Sequence, residues 1–78
     1  MKELIEAIAK ALVDNPEAVA VSEEQGPDGT ILIKLAAAPD DMGRIIGRQG
    51  RTAKAMRTLL NAKATREKKR VVLQILEE

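Results

Sequence analysis

The stretch Ile45-Ile46-Gly47-Arg48-Gln49-Gly50 lies at residues 45–50 of this 78-residue chain and contains its most informative pattern, two glycines separated by two polar residues. Glycine lacks a Cβ atom, so two glycines three residues apart permit a sharp turn and a close approach to the main chain. Backbone N–H groups in such a turn, and at the start of a following helix, can donate to phosphate oxygens. Arg48 adds a cation, and Gln49 can donate or accept a hydrogen bond. The spacing alone predicts either a phosphate-binding loop or a plain turn between two helices.

Helical patterns lie on both sides of this stretch. Pro39-Asp40-Asp41 is typical of a helix start and predicts a short second helix that ends at Gly47. A third helix is predicted after Gly50, because apolar residues recur there at the helical period. Its predicted apolar stripe consists of Ala53, Met56, Leu59, Leu60 and Ala64. Residues 65–70 follow as a charged connector.

The first half of the chain predicts one helix and two strands. Leu4, Ile5, Ile8 and Leu12 form an apolar stripe over about three helical turns, which Pro16 ends. Alternating patterns then predict strands at 18–24 and 30–36, joined by a turn at 25–29. The chain closes with a third strand at 71–76.

The predicted order of elements is therefore α-β-β-α-α-β, an α+β fold in a single domain spanning residues 1–78. The two-helix connection between the second and third strands is long enough to join parallel neighbours. We expect strand 30–36 at the centre of a three-stranded mixed sheet, antiparallel to 18–24 and parallel to 71–76. The helices are expected to pack on one face of this sheet.

Composition excludes several classes of function. The chain has no histidine and no cysteine, so the commonest zinc ligands, general bases and thiol nucleophiles are missing. We expect no metal site and no cofactor, and an enzyme is the least favoured class. The chain also lacks Phe, Tyr and Trp, which disfavours nucleic-acid modules that stack bases on aromatic platforms.

Charge is divided unevenly along the chain. Residues 1–41 contain three basic and nine acidic side chains, whereas residues 42–70 contain ten basic side chains and one acidic side chain. One basic surface on an otherwise acidic protein is typical of a partner that is a polyanion. A solvated, basic helix surface would give the same pattern, so charge alone leaves both interpretations open.

Taken together, these residues resemble the type II KH domain over nearly the whole chain. The similarity is closest to the small single-domain bacterial KH proteins of the KhpA (YlqC-like) family. Four stretches carry it: Lys2-Glu3-Leu4, Leu12-Val13-Asp14-Asn15-Pro16, Ala38-Pro39-Asp40-Asp41-Met42-Gly43 and Ile45-Ile46-Gly47-Arg48-Gln49-Gly50-Arg51.

The resemblance implies a groove for about four nucleotides of single-stranded RNA. Its loop, 47–50, is expected to clamp phosphates, and Arg51 and Lys54 extend the positive surface. Bases are expected on an aliphatic floor of Ile45, Ile46 and Ala53 with part of 71–73, facing a second wall formed by the last strand and connector 65–70. The expected RNA-binding residues are Ile45, Ile46, Gly47, Arg48, Gln49, Gly50, Arg51 and Lys54.

Some of these expectations contain alternatives. One of Ile45 and Ile46 is expected to belong mainly to the core, and the pattern does not say which. Many KH motifs have a larger aliphatic residue at the position of Ala53, so the floor is expected to be shallow. Lys68, Lys69 and Arg70 could contact phosphate or only keep the connector soluble. Single-stranded DNA is not excluded as a ligand.

The resemblance also implies partners and a setting. Family members are expected to form homodimers and to work with a larger KH-domain protein, as RNA chaperones or post-transcriptional regulators. The acidic start of the chain does not match a signal peptide, and charges interrupt every apolar run, so we expect a cytoplasmic protein without membrane insertion. The alternative function is a KH-shaped protein-interaction or dimerisation adaptor with little RNA affinity.

Overall fold

A computed structural model of the protein describes residues 1–76, and it has the order of elements that the sequence predicts. The helices are α1 (Lys2–Leu12), α2 (Met42–Ile46) and α3 (Arg51–Arg66). The strands are β1 (Ala20–Gln25), β2 (Ile31–Ala36) and β3 (Val71–Ile75). Three single turns of 3-10 helix, at Pro16–Ala18, Pro39–Asp41 and Arg48–Gly50, lie between them.

The sheet has the strand order β1-β2-β3, so the predicted central position of β2 is confirmed. β1 pairs with β2 in antiparallel orientation, and β2 pairs with β3 in parallel, with Ile33 opposite Leu73. α2 and α3 form the crossover between the two parallel strands. The predicted α+β fold, with a three-stranded mixed sheet and the element order of a KH domain, is therefore confirmed.

Helices cover one face of the sheet. On β2 the buried residues alternate as Ile31, Ile33 and Leu35, and they pack in one core with side chains from all three helices and from β3. The core members outside β2 are Ile5, Ala9, Ile45, Met56, Leu60 and Leu73. The opposite face carries Leu32 and Lys34 of β2 and the exposed Val72 of β3. This arrangement follows from the period of two in strand side chains.

Several strand boundaries differ from the predicted ones by one residue, and two boundaries differ by two residues. β1 begins at Ala20 rather than at residue 18, because Pro16 to Ala18 form a 3-10 turn in which the Val19 N–H donates to the Pro16 carbonyl at 3.2 Å. α3 continues to Arg66, so the connector between α3 and β3 is residues 67–70 rather than 65–70. An alternating pattern cannot distinguish a strand from a preceding turn, which explains the first difference.

Two residues of the predicted apolar stripes are exposed. Leu59 of α3 is 50% exposed and Leu12 at the end of α1 is 37% exposed. The buried residues of α3 are Ala53, Met56, Leu60 and Ala64, which share one side of the helix, and Leu59 lies off that side. The prediction that Leu59 belongs to the core-facing stripe was therefore wrong.

The turn between β1 and β2 is stabilised by Asp28. Its carboxylate accepts hydrogen bonds from the Thr30 N–H and the Thr30 hydroxyl, both at 3.0 Å. These bonds, the backbone bond first, lower the pKa of Asp28 below its ordinary value. Within residues 1–76, no helix is both long enough and apolar enough to cross a membrane.

Candidate nucleic-acid interface

The segment Gly47–Gly50, here called the Gly loop, separates α2 from α3. The Gly47 N–H donates to the Gly43 carbonyl at 2.8 Å and ends α2, and the Gly50 N–H donates to the Gly47 carbonyl at 3.1 Å and closes the turn. The predicted break between the two helices is thus present. The loop is short and internally hydrogen-bonded, so its shape is defined by its own backbone.

Gly47 has a backbone conformation that only glycine adopts readily. Its φ is +78° and its ψ is 172°, a region that is essentially restricted to glycine. A Cβ atom at this position would lie 2.7 Å from the Cβ atom and 2.9 Å from the backbone nitrogen of Thr52. Thr52, in the first turn of α3, therefore packs directly against Gly47. The sequence alone does not reveal this contact, because the fold brings the two residues together.

Gly50 has a different environment. Its φ is +74°, in the left-handed region, and a Cβ atom there would meet no atom within 4 Å. Gln49 is also left-handed, with a φ of +58°, which is uncommon for a residue other than glycine. Arg48 and Gln49 both have exposed side chains. The Gly loop therefore presents a backbone that is open on the side of Gly50, with a cationic and a neutral polar side chain next to it.

The N-terminus of α3 begins directly after the Gly loop. Gly50 occupies the N-cap position, no side chain caps the helix there, and the first turn contains no acidic residue. The first N–H groups of a helix lack partners within the helix and carry a partial positive charge. Arg51 and Lys54 have exposed side chains in the same turn. This end of α3 is consequently suited to a negatively charged group.

The cations around the Gly loop differ in whether they have a partner. Arg44 of α2 forms ion pairs with Asp14 at 3.0 Å and with Asp41 at 3.7 Å. Arg48, Arg51 and Lys54 form no ion pair within the part of the chain that the structure describes. Three cations near the loop are therefore available to an external anion, and Arg44 is engaged within the protein.

The structure distinguishes the two isoleucines that the sequence left open. Ile45 is completely buried and belongs to the core, whereas Ile46 is only partly buried. Ala53 is buried as well, so it offers little surface to a ligand. Of the three residues expected to form an aliphatic floor beside the loop, only Ile46 is not buried.

An apolar depression lies farther along α3, where that helix meets β3. Its volume is about 180 Å³, and it is lined by Arg57, Leu60, Asn61, Val71, Val72 and Leu73. Residues 71–73, which were expected to contribute to the groove, line this depression. Ile45, Ile46 and Ala53 do not line it. Asn61 was not identified from the sequence. Asn61 lies four residues after Arg57, on the same side of the helix. This spacing could have identified it from the sequence.

The connector lies at the other end of α3. The helix has 16 residues, which corresponds to about 24 Å between the Gly loop and residues 67–70. Lys68, Lys69 and Arg70 line a shallow surface together with Asp28, Gly29 and Thr30 of the β1–β2 turn. The connector thus adjoins the hairpin turn, and a strand of nucleic acid would have to follow the length of α3 to reach both ends.

Sequence comparisons identify close relatives of this chain. Residues 2–75 match the family model described as KhpA/KhpB, KH domain. A protein named RNA-binding protein KhpA from Caldanaerobacter subterraneus subsp. tengcongensis is 57% identical over 76 residues, which cover 97% of this chain and 100% of the relative. Proteins of the same name from Halalkalibacterium halodurans and Clostridium acetobutylicum are 55% and 54% identical, over 99% and 97% of this chain and 100% of each relative.

Proposed function

This chain belongs to the family of KhpA/KhpB KH domains, and from that premise we propose that it binds single-stranded RNA without catalysing a reaction on it. The observation that carries the proposal is the Gly loop: two glycines with positive φ hold an open backbone turn at the uncapped N-terminus of α3. Relatives that are about half identical over their full length are named RNA-binding proteins, which supports the same conclusion.

In the proposed complex, the Gly loop clamps the sugar-phosphate backbone. Gly50 leaves room for a phosphate to approach the main chain, because no protein atom lies where its Cβ atom would be. Arg48, Arg51 and Lys54 supply positive charge around that position without losing ion pairs, since they have none among the described residues. Phosphate contacts of this kind provide affinity but little sequence information.

The bases are proposed to turn toward the side of α3 that faces β3. The depression between α3 and β3 supplies apolar surface there, with donors from Arg57 and Asn61, and the partly exposed Ile46 adds apolar surface beside the Gly loop. An aliphatic surface with few polar groups discriminates weakly between bases.

Weak discrimination between bases suits a general role, and we propose that the protein is an RNA chaperone or post-transcriptional regulator in the cytoplasm. A larger KH-domain protein is proposed as its partner. The shared description of the family as KhpA and KhpB supports that partner.

The proposal predicts an affinity that depends on salt. Two or three phosphate contacts from Arg48, Arg51 and Lys54 should give a slope of roughly −1.4 to −2.1 in a plot of log affinity against log salt concentration, because each contact releases counterions. The measurement is fluorescence anisotropy of a labelled, mixed-sequence single-stranded RNA at several salt concentrations. A DNA strand of the same sequence tests selectivity for RNA. An affinity that does not change with salt would contradict the proposed phosphate clamp.

A protein-interaction adaptor is the second candidate. The observation that favours it is Leu59, a large apolar side chain that is half exposed on the outer side of α3. If this function dominates, light scattering after size exclusion should give the mass of a dimer that is unchanged by added RNA. In that case Leu59→Asp should reduce the mass to that of a monomer, whereas the matched change Leu12→Asp on α1 should not.

A further inference from the structure

Asp41 is the only charged side chain that is buried among residues 1–76, with 3% of its surface exposed. A buried carboxylate is costly unless hydrogen bonds compensate for its lost hydration. Asp41 precedes α2, yet its side chain does not cap that helix. Its oxygen atoms instead contact a segment that is 26 and 27 residues away in the sequence.

Both oxygen atoms of Asp41 accept hydrogen bonds from the segment that follows α1. The Asp14 N–H donates to Oδ1 at 3.2 Å, and the Asn15 N–H donates to Oδ2 at 3.1 Å. Both donors are main-chain groups, so the carboxylate recognises a backbone conformation rather than particular side chains. The bonds fix the start of α2 to the segment that joins α1 to β1.

Arg44 reinforces the same junction at the surface. Its Nη2 atom lies 3.0 Å from Oδ2 of Asp14, and its Nε atom lies 3.7 Å from Oδ1 of Asp41. The Arg44 and Asp14 side chains are both exposed, so this pair is screened by solvent and contributes less than the partly buried hydrogen bonds of Asp41. The two partly buried hydrogen bonds of Asp41 are therefore a stronger link between the two segments than this ion pair.

The link lies close to the Gly loop because α2, which separates Asp41 from Gly47, has only five residues. A helix of five residues has little stability of its own, and its orientation is set by what holds its two ends. Ile45 anchors its middle in the core, and Asp41 anchors its start. Its end continues directly into Gly47, which packs against Thr52 at the start of α3.

We propose that Asp41 is a positioning residue for RNA binding: its buried carboxylate fixes the start of α2, and thereby the Gly loop, without touching RNA. This inference rests on the proposed function. It explains why a protein that binds a polyanion has a buried negative charge six residues before its Gly loop. Loss of the carboxylate should weaken RNA binding, although removal of a negative charge would by itself strengthen it.

The test compares Asp41→Asn with Asp40→Asn, in the full chain and at neutral pH. The first substitution keeps the size of the side chain but replaces one acceptor with a donor, so one of the two main-chain bonds is lost. Asp40 is exposed, and its replacement removes the same charge one residue away. We expect Asp41→Asn to weaken RNA binding about tenfold, and Asp40→Asn to leave affinity equal or slightly higher. Equal affinities for the two variants would overturn the proposal.

A stability-matched variant separates positioning from a general loss of stability. Ile31→Val shortens a core side chain at the end of the sheet that meets the connector, where the Ile31 N–H donates to the Arg70 carbonyl. The RNA affinities of the two variants are compared under conditions in which their free energies of unfolding are equal. If Ile31→Val then loses as much RNA affinity as Asp41→Asn, Asp41 acts only through stability and the proposal fails.

Backbone NMR provides a readout that needs no RNA. Asp41→Asn should shift the amide resonances of Gly47 and Gly50 and accelerate their hydrogen exchange, whereas Asp40→Asn and Ile31→Val should not. If the wild-type protein binds no RNA, the proposed function fails but this comparison still decides whether Asp41 positions the loop. Unchanged amide resonances of Gly47 and Gly50 would overturn the proposal in either case.

Discussion

At the scale of single residues, Gly47 and Gly50 need to be glycine for different reasons. A side chain at Gly47 would collide with Thr52 in a backbone region restricted to glycine, whereas at Gly50 only the left-handed φ opposes it. We expect Gly47→Ala to lower the free energy of unfolding by about 3 kcal/mol or more, and Gly50→Ala by about 1–2 kcal/mol. Urea denaturation followed by circular dichroism measures both.

Gly43→Ala is the matched control for these two substitutions. Gly43 lies in α2, has no atom within 4 Å of its Cβ position and does not have a positive φ. Alanine is the better helix former, so this variant should be unchanged or more stable by about 0.5–1 kcal/mol. Equal losses for Gly47→Ala and Gly50→Ala would show that the contact with Thr52 does not matter.

Single residues were also where the sequence was least informative. The pattern of two glycines correctly placed the turn between α2 and α3, because glycine has a known effect on backbone geometry. It could not show that Gln49 and Lys68 are left-handed, since neither side chain favours that conformation. Nor could it show that Asp41 is buried while the adjacent Asp40 is exposed, because tertiary contacts with residues 14 and 15 decide this difference.

At the scale of elements, the end of α3 has an unusual cap. The Lys69 N–H donates to the Ala64 carbonyl at 2.8 Å and the Lys68 N–H donates to the Thr65 carbonyl at 3.1 Å, which is the bonding of a Schellman motif. The left-handed residue of this motif is usually glycine, but here it is Lys68, with a φ of +57°. A lysine in this conformation destabilises the folded state relative to glycine.

Lys68→Gly should therefore raise the free energy of unfolding by about 1 kcal/mol, because it relieves the left-handed strain. Lys69→Gly is the control: Lys69 does not have a positive φ, so the added flexibility of glycine should lower stability by about 0.5–1 kcal/mol. Chemical denaturation of the two variants decides the point, and a loss of stability in Lys68→Gly would contradict it.

The order of elements could be predicted because each has a strong local signal. Alternation in β2 and the helical period of α1 reflect burial against the same core. Leu59 was assigned wrongly to that core, since a wide apolar stripe on a helix does not reveal which edge the sheet covers. The Ile45–Ile46 pair could not be resolved for the same reason, as both lie in one turn of α2.

At the scale of the whole molecule, the fold converts a charge division in the sequence into a spatial one. The basic segment 42–70 forms α2, the Gly loop, α3 and the connector, whereas the acidic segment 1–41 forms α1, β1 and β2. Asp14, Asp41 and Glu67 neutralise part of the basic segment through Arg44 and Lys69. The cations left unpaired beside the Gly loop are the basis of the proposed RNA clamp.

RNA binding by the Gly loop is tested with the double variant Arg48→Asp/Gln49→Asp. Both side chains are exposed, and aspartate tolerates the left-handed conformation of residue 49, so the fold should persist. The control, Lys2→Asp/Gln25→Asp, makes the same change in net charge on the acidic part of the chain. Circular dichroism verifies that both variants are folded.

The measurement is the anisotropy of a labelled, mixed-sequence single-stranded RNA titrated with the wild-type protein and the two double variants. We expect that the wild type and the control bind and that the folded loop variant loses at least about tenfold in affinity, because two carboxylates would face the phosphates. Equal binding by all three proteins would contradict it and place RNA on another surface. Binding by none of them would favour the adaptor function instead.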